Sequence, residues 1–526
     1  MREEMKVSFN QSFLRESAKN LANAQSASIT KIKSSPVRVK LTKAKDILNE
    51  AYSILALTAK KDRDISPAAE WLIDNYYIIQ EQIVQIEQDF PIEYQRNIPL
   101  LDNGEHQTLP RVFELVLNMF THTDNLIDIE TLTNYVKSYQ EEEPLMIGEI
   151  WAIPIMLRFV LILSLSERSE RVLQRKHIKT DIKNLINTFS ERDMREPGLI
   201  NHELSNWLNK RKNVKDQLLL TELTNQLQNA GLLQDEQKRW LQYKFNQFDM
   251  TIEEALRIDA QKQSKLQVSI QNAVISLREI SETDWSDFAE DCSIIEQILR
   301  LDPFGYYSDM DFQTRDSYRR GIEKLSRYSN YSEVEVAEKI LQLCEEYKPS
   351  NNIDTSNILT DRSILKKHVG YYLKEEGQVE IENEIGYSKS ISDRFIRMLK
   401  NNERYYLLGV WIVTIFFLAI LWVVTDAIGE PPVISTIVLI IALFPALDLS
   451  VSSINRFFAF LLPPGILPKM NYENGIPDES RTLVVVPTLF SSPEDVRRQF
   501  EALEIRSLAN SDPSLQFAIL SDFTDA

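Results

Sequence analysis

Residues 405–425 read YYLLGVWIVTIFFLAILWVVT, 21 consecutive positions without a charged side chain between Arg404 and Asp426. At about 1.5 Å per residue, such a helix crosses the ~30 Å hydrocarbon core of a bilayer, and a buried soluble helix seldom stays apolar on every face for so long. The run predicts a membrane span. A second uncharged run, Pro431–Leu447, has 17 residues, the lower limit for a span. Pro445 and Asp448 complicate its end, so a re-entrant segment stays open. Helix can, however, continue through Leu449, Val451 and Ile454, and the connection Asp426–Glu430 is short enough for a helical hairpin.

The loops set the orientation. Arg394, Arg397, Lys400 and Arg404 precede the first run and Arg456 and Lys469 follow the second, while the connection carries only acids. Basic residues stay on the cytosolic side, so both large parts are expected there. Ile454–Leu462 brings Phe457, Phe458, Phe460, Leu461 and Leu462 beside Arg456 and ends at Pro463-Pro464. This reads either as a helix lying in the membrane interface or as the end of the second span.

Upstream, from about Ser8 to Arg404, apolar residues recur at three- and four-residue spacing, as at Leu48, Ala51, Tyr52 and Leu55, with Lys, Glu and Gln between them. That is the pattern of amphipathic helices. Breaks are expected at Ser34-Ser35-Pro36, Pro91–Pro110 with its Asp102-Asn103-Gly104 turn, Glu196-Pro197-Gly198, Pro303–Gly305 and Pro349–Asn352. With only 13 Gly in 526 residues, few positions suit positive φ, which again favours helices over tight hairpins. No fixed-period repeat is visible. Met1–Asn20 has charges every few residues and no apolar segment, so no cleavable signal peptide is expected.

Charge narrows the partners. The 59 basic and 77 acidic residues give a net charge of −18, which argues against nucleic acid, itself a polyanion. Cys292 and Cys344 belong to no Cys/His cluster of metal spacing and read as buried cytosolic thiols.

Beyond the Gly475-Ile476-Pro477 turn the pattern changes. Thr482-Leu483-Val484-Val485-Val486, closed by Pro487, reads as a buried parallel-type strand. Ser492 is placed to cap the next helix, with Pro493 at its first position, Glu494 and Asp495 in its first turn, and Val496, Phe500, Leu503 and Leu508 as its inner face. Leu515–Leu520 reads as a second strand. A strand, a helix and a strand with short links make a βαβ unit, whose ligands sit beyond the carboxyl ends of the strands. Pro487-Thr488 and Ser521-Asp522-Phe523-Thr524-Asp525 are therefore the candidate positions. An acid there contacts a nucleotide or its metal ion, or simply caps the following helix.

The fold class is thus mainly α. A large cytosolic helical region covers 1–400, a two-span transmembrane helical hairpin 401–454, an interfacial helix and linker 455–480, and the first βαβ unit of an α/β domain 481–526.

Longer words add a resemblance. They are Pro67-Ala68-Ala69-Glu70-Trp71-Leu72 with Asp74-Asn75-Tyr76; Pro110-Arg111-Val112 with His122-Thr123-Asp124; and Tyr139-Gln140, Pro144-Leu145 and Ile147-Gly148-Glu149-Ile150-Trp151-Ala152-Ile153-Pro154, closing on Met156-Leu157-Arg158. Met310–Arg319, His368-Val369-Gly370-Tyr371-Tyr372-Leu373, Arg481–Leu489 and Phe517–Ala526 follow. In order and spacing, from about residue 65 onward, the chain resembles the amino-terminal part of the cyclic β-1,2-glucan synthases, large membrane-bound enzymes of the glycosyltransferase family 84 type.

The resemblance implies a bacterial inner-membrane, multi-pass protein. The α/β part would begin a GT-A-like domain that uses UDP-glucose with a divalent cation, Mg or Mn, and makes a β-1,2-glucan. The bilayer, the rest of the synthase polypeptide and the glucan product would be its partners. Thr488 and Asp522 match strand-end positions near the nucleotide in related domains, and either Asp522 or Asp525 carries the contact, since Ser521–Asp525 departs from the paired acids followed by Gly seen elsewhere. The DxD metal motif and the general base are expected beyond Ala526, so the chain by itself is expected to hold no cofactor and to be inactive. The competing class is a non-enzymatic, membrane-anchored helical scaffold.

Other marked residues read as structural. Glu149, Trp151 and Arg158, at the head of the apolar stretch Ile150–Leu165, suit packing and ion pairing. Asp311, Arg315, Asp316 and Arg319 have the three- and four-residue spacing of helical ion pairs. His122 and His368 stand without a nearby His or Cys partner, and no metal role is read for them.

Overall fold

The computed structural model describes residues 11–62, 65–191, 197–209, 217–347, 362–388, 391–462, 465 and 467–523. Met1–Asn10, Glu196, Pro349–Asn352, Pro463-Pro464, Thr524 and Asp525 lie outside them. The described residues are mostly helical, with two small two-stranded sheets. They fall into two compact units, 1–293 and 294–526.

The first unit is built around one long helix. We label its main helices α1 (Pro36–Asp62), α2 (Arg111–Thr123), α3 (Ile147–Glu191), α4 (Gln217–Asn229) and α5 (Ile252–Glu282). Helix α3 packs against the other four. Its apolar first half, with Ile153, Met156, Phe159, Leu161 and Ile162 fully buried, threads the main core. Its second half contributes Ile178, Ile182, Ile186 and Phe189 to a second core with Leu204, Leu220, Leu223 and Leu241. By length and hydropathy α3 ranks as a possible span, but 78% of its apolar window is buried inside the unit. It is a core helix. Pro154 sits within it, and the guanidinium of Arg158 bonds the Pro154 carbonyl at 3.3 Å. The expected turn at Asp102-Asn103-Gly104 is present, with Gly104 at φ +85°.

The second unit begins with α6 (Ile294–Leu299), α7 (Phe312–Arg327), α8 (Glu333–Glu346) and α9 (Val369–Lys374), packed around Leu299, Tyr307, Tyr318, Ile322, Val336, Ile340 and Val369. Then come α10 (Arg404–Ile428) and α11 (Pro432–Leu461), a helical hairpin. Gly429 closes α10 with φ +80°, and Pro432 occupies the first turn of α11. The helices run antiparallel: Tyr406 Oη donates to Asn455 Oδ1 at 2.7 Å, and a Cβ added at Gly409 would lie 3.2 Å from Ile454. Helix α11 is continuous through Pro445 to Leu461, so residues 454–461 are its last turns rather than a separate helix. The apolar windows of α10 and α11 are only 11% and 17% buried. So large an apolar surface facing outward is the surface of a membrane-associated segment.

The chain closes on β1 (Thr482–Phe490), α12 (Pro493–Ala509) and β2 (Leu515–Phe523), a parallel strand pair joined through a helix. As expected, Ser492 caps α12, its hydroxyl accepting from Asp495 N at 3.2 Å. Two details depart from expectation. Both strands run three residues or more beyond their predicted ends, because Pro487 is accommodated inside β1, where a two-stranded sheet leaves one edge without a donor requirement. The sheet is also far from buried: Leu489 is 66% and Leu520 65% exposed, and Phe500 and Leu508 of α12 point largely outward. Two strands give one helix too narrow a platform to cover.

Candidate functional site

The carboxyl ends of β1 and β2 lie side by side, with Thr488 paired to Ser521 and Leu489 to Asp522. Side chains alternate across a sheet, and partners in a parallel register share a face. Thr488 therefore lies on the face of Val484, Val486 and Phe490, the better-covered face, and Asp522 on the opposite face with Leu489 and Pro487. The candidates share a sheet end but not a face. Thr488 is inside β1, one register step from Asp522. Asp525, the other candidate, is outside the described residues.

The start of this unit is tied down. The Asp512 carboxylate accepts from Ile476 N at 2.9 Å and from Ser514 N at 2.8 Å, and Thr482 N donates to Ser514 O at 2.9 Å. Gly475, at φ +100°, supplies the left-handed turn that brings Ile476 there. Just before it, the linker pairs with the loop ahead of α7. Met470 forms an antiparallel bridge with Met310, Asp311 N donates to Lys469 O at 2.9 Å, and Asn471 N donates to Asp309 O at 2.7 Å. Lys469 N also donates to Thr314 Oγ1 at 3.0 Å. The segment leading from the hairpin to the strands is thus anchored on the helical part of its own unit.

That anchor reassigns Asp311. Its carboxylate accepts from Thr314 N at 2.9 Å and caps α7, instead of pairing with a helical arginine. Asp316 pairs as expected with Arg319, at 3.7 Å, and more closely with Arg320, at 2.7 Å, which was not among the expected partners. The stronger acceptor was not visible from spacing. Glu296, buried on α6, takes Arg319 Nη1 at 2.5 Å, Arg300 Nε at 2.9 Å and the Tyr307 hydroxyl at 2.7 Å. Burial alone would raise its pKa, but the Tyr307 hydrogen bond and the Arg319 charge outweigh it and hold the carboxyl below its ordinary value.

The word His368–Leu373 lies against this cluster. His368 Nδ1 is 2.7 Å from Asp302 Oδ2, while Val369 N donates to Asp302 Oδ1 at 3.1 Å. A Cβ at Gly370 would meet Tyr318 Oη at 2.5 Å and His368 Nε2 at 2.7 Å, so the close approach of those two groups depends on a glycine there. Among the described residues no group of three or more His, Cys, Asp or Glu is placed to hold a metal ion.

In the first unit, Glu149 and Arg158 serve the structure. Arg111 Nε and Nη2 bond the two Glu149 oxygens at 2.6 and 2.7 Å, Nη2 also donates to Pro144 O at 2.7 Å, and Nη1 reaches Glu143 at 3.0 Å. Arg158 Nε donates to Gln82 Oε1 at 2.8 Å, and burial lowers its pKa. Cys292 and Cys344 are buried free thiols, each pushed up to about 12 by burial.

No family model matches the chain. It is 29% identical over 486 residues, 92% of its length, to the cyclic beta-(1,2)-glucan synthase NdvB of Rhizobium meliloti (strain 1021). The chain is thus similar to a cyclic beta-(1,2)-glucan synthase. It spans 16% of the length of that curated synthase, so the similarity extends over nearly all of this sequence and a small part of the relative. The Arg111–Glu149 pair, the Glu296 cluster and the His368–Asp302 pair all involve residues of the segments Pro110–Val112, Ile147–Pro154, Met310–Arg319 and His368–Leu373.

Proposed function

We propose that the chain is the amino-terminal anchoring part of a cyclic β-1,2-glucan synthase, acting at the bacterial inner membrane with UDP-glucose as donor. The observation that carries this reading is the identity to the Rhizobium synthase along 92% of the chain. The exposed apolar hairpin supports it, since α10 and α11 have the length and hydropathy of two membrane spans. The excess of Lys and Arg before α10 and after α11 supports a cytosolic position for both large parts.

In this reading β1, α12 and β2 begin a GT-A-like transferase domain. The apolar open face of Leu483, Val485 and Leu489 would be covered by further layers of that domain, and Thr488, Asp522 and Asp525 would sit at its nucleotide edge. The divalent cation that the resemblance implies would neutralise the donor diphosphate; it has no holder among the described residues. The linker anchor at Lys469–Asn471 would fix the transferase against the helical part of its unit.

The test uses membranes from cells that make the longest polypeptide encoded by the reading frame containing this sequence. Labelled UDP-glucose should be incorporated into β-1,2-linked glucan, and Asp522→Asn should reduce incorporation by about tenfold or more, the scale of one lost contact to a reacting ligand. Membranes that bind this protein but incorporate no glucose would instead support a non-enzymatic scaffold.

A further inference from the structure

In a chain of net charge −18, a cleft of the first unit carries the opposite sign. It lies between the second half of α3, the start of α4 and the first half of α5, with a volume of about 510 Å³, within the ~300–1,000 Å³ usual for small-ligand sites. Five cations line it, Arg168, Arg171, Arg175, Lys262 and Lys265, against two carboxylates, Asp124 and Asp259. Spacing builds this face. Positions 168, 171 and 175 recur at three and four along α3, and 262, 265 and 269 do so along α5, so each helix turns one side toward the cleft.

The cations are not equivalent. Arg175 is spent internally: it bonds both Asp259 oxygens at 2.9 Å and Glu222 at 2.8 Å. Arg168 is half-buried, and its guanidinium meets only neutral acceptors, Ser269 Oγ at 2.9 Å, Ser164 O at 3.1 Å and Ser164 Oγ. Burial lowers its pKa, with Asp124 opposing: the cation is desolvated without a bonded carboxylate. Among the described residues, Arg171, Lys262 and Lys265 form no ion pair. A guanidinium fork with three further unpaired cations is the chemistry that recognises phosphate oxygens. Gln174, Gln217, Thr221 and Gln263 supply amides and a hydroxyl around it for a polar body.

We propose that this cleft binds a small phosphate-bearing ligand, with Arg168, Arg171, Lys262 and Lys265 holding the phosphate and the amides of α3, α4 and α5 holding a sugar or nucleoside body. The site is lined by residues of the first unit, whereas β1 and β2 belong to the second, and the proposal stands whether or not the synthase reading does.

The test is calorimetric titration of the full chain in detergent with sodium pyrophosphate, UDP, glucose and the short-chain lipid dihexanoylphosphatidylglycerol. At least one phosphate-bearing probe should bind, and glucose should not. Lys262→Gln with Lys265→Gln should weaken binding at least ~10-fold, the scale of losing charge-assisted bonds to phosphate, without moving the unfolding midpoint, since both side chains are exposed. Arg168→Gln with Arg171→Gln should weaken it as far. Preference for UDP or pyrophosphate assigns a soluble metabolite; preference for the lipid assigns a headgroup. Absence of binding by every phosphate-bearing probe, or binding undiminished in both double variants, would overturn the proposal.

Discussion

Arg111 and Glu149 are the clearest case of single residues holding a unit together. Their side chains are 7% and 0% exposed and joined by two bonds, so removing one leaves the other charged and buried. Glu149→Ala should destabilise the first unit by about 3–5 kcal/mol, read as a shift in its denaturant midpoint; a change below about 1 kcal/mol would mean that the pair is solvated. Glu296 carries a pH signature. Its folded pKa lies below the ordinary 4.5, so its contribution is fully present above pH 4.5 and is lost as pH falls from there through the depressed value. Unfolding midpoints should therefore drop over that acid range, and the drop should be smaller in Glu296→Gln; identical acid profiles for the two proteins would exclude this. At this scale the sequence was partly readable. Local spacing exposed Asp316 and Arg319 as pairing residues, whereas Glu296 meets Tyr307 and Arg319, and Asp302 meets His368, across loops, where no period links them.

At the scale of elements, most of the fold was legible because each signal is local. The 21-residue uncharged run became α10, Ser492-Pro493 became the start of α12, and the β-branched run became β1. What failed was the extent of the strands and their expected burial, since both depend on neighbours. The hairpin gives an element-scale prediction. Ile415 is 61% exposed at the middle of α10, so Ile415→Arg should oppose insertion by about 2.5–3.5 kcal/mol. Extraction from membranes by alkaline carbonate should rise accordingly; unchanged retention would argue that α10 packs against protein instead of lipid.

For the molecule as a whole, the two units differ in how completely they close. The first wraps its apolar residues around α3, while the second leaves an apolar hairpin and an open-faced strand pair at its surface. From that open face we predict that membranes containing only this 526-residue chain incorporate no glucose from UDP-glucose; labelled β-glucan made by it alone would show that β1 and β2 need no further cover to act. The division at Ser293–Ile294 was not readable, because amphipathic helices of similar composition lie on both sides of it.

By itself, the sequence determined where many of the helix breaks fall, where a βαβ unit starts, and two segments apolar enough to cross a bilayer. Tertiary structure decided that a third helix of such length and hydropathy, Ile147–Phe189, is a core helix: its apolar window is 78% buried, against 11% for that of Arg404–Ile428. It also gathered Arg168, Arg171, Lys262 and Lys265 into one cleft and put Thr488 and Asp522 on opposite faces of a sheet. The reason is physical. Hydrophobicity, charge and helical period belong to residues and their near neighbours, whereas burial and the meeting of charges depend on which distant segments come together.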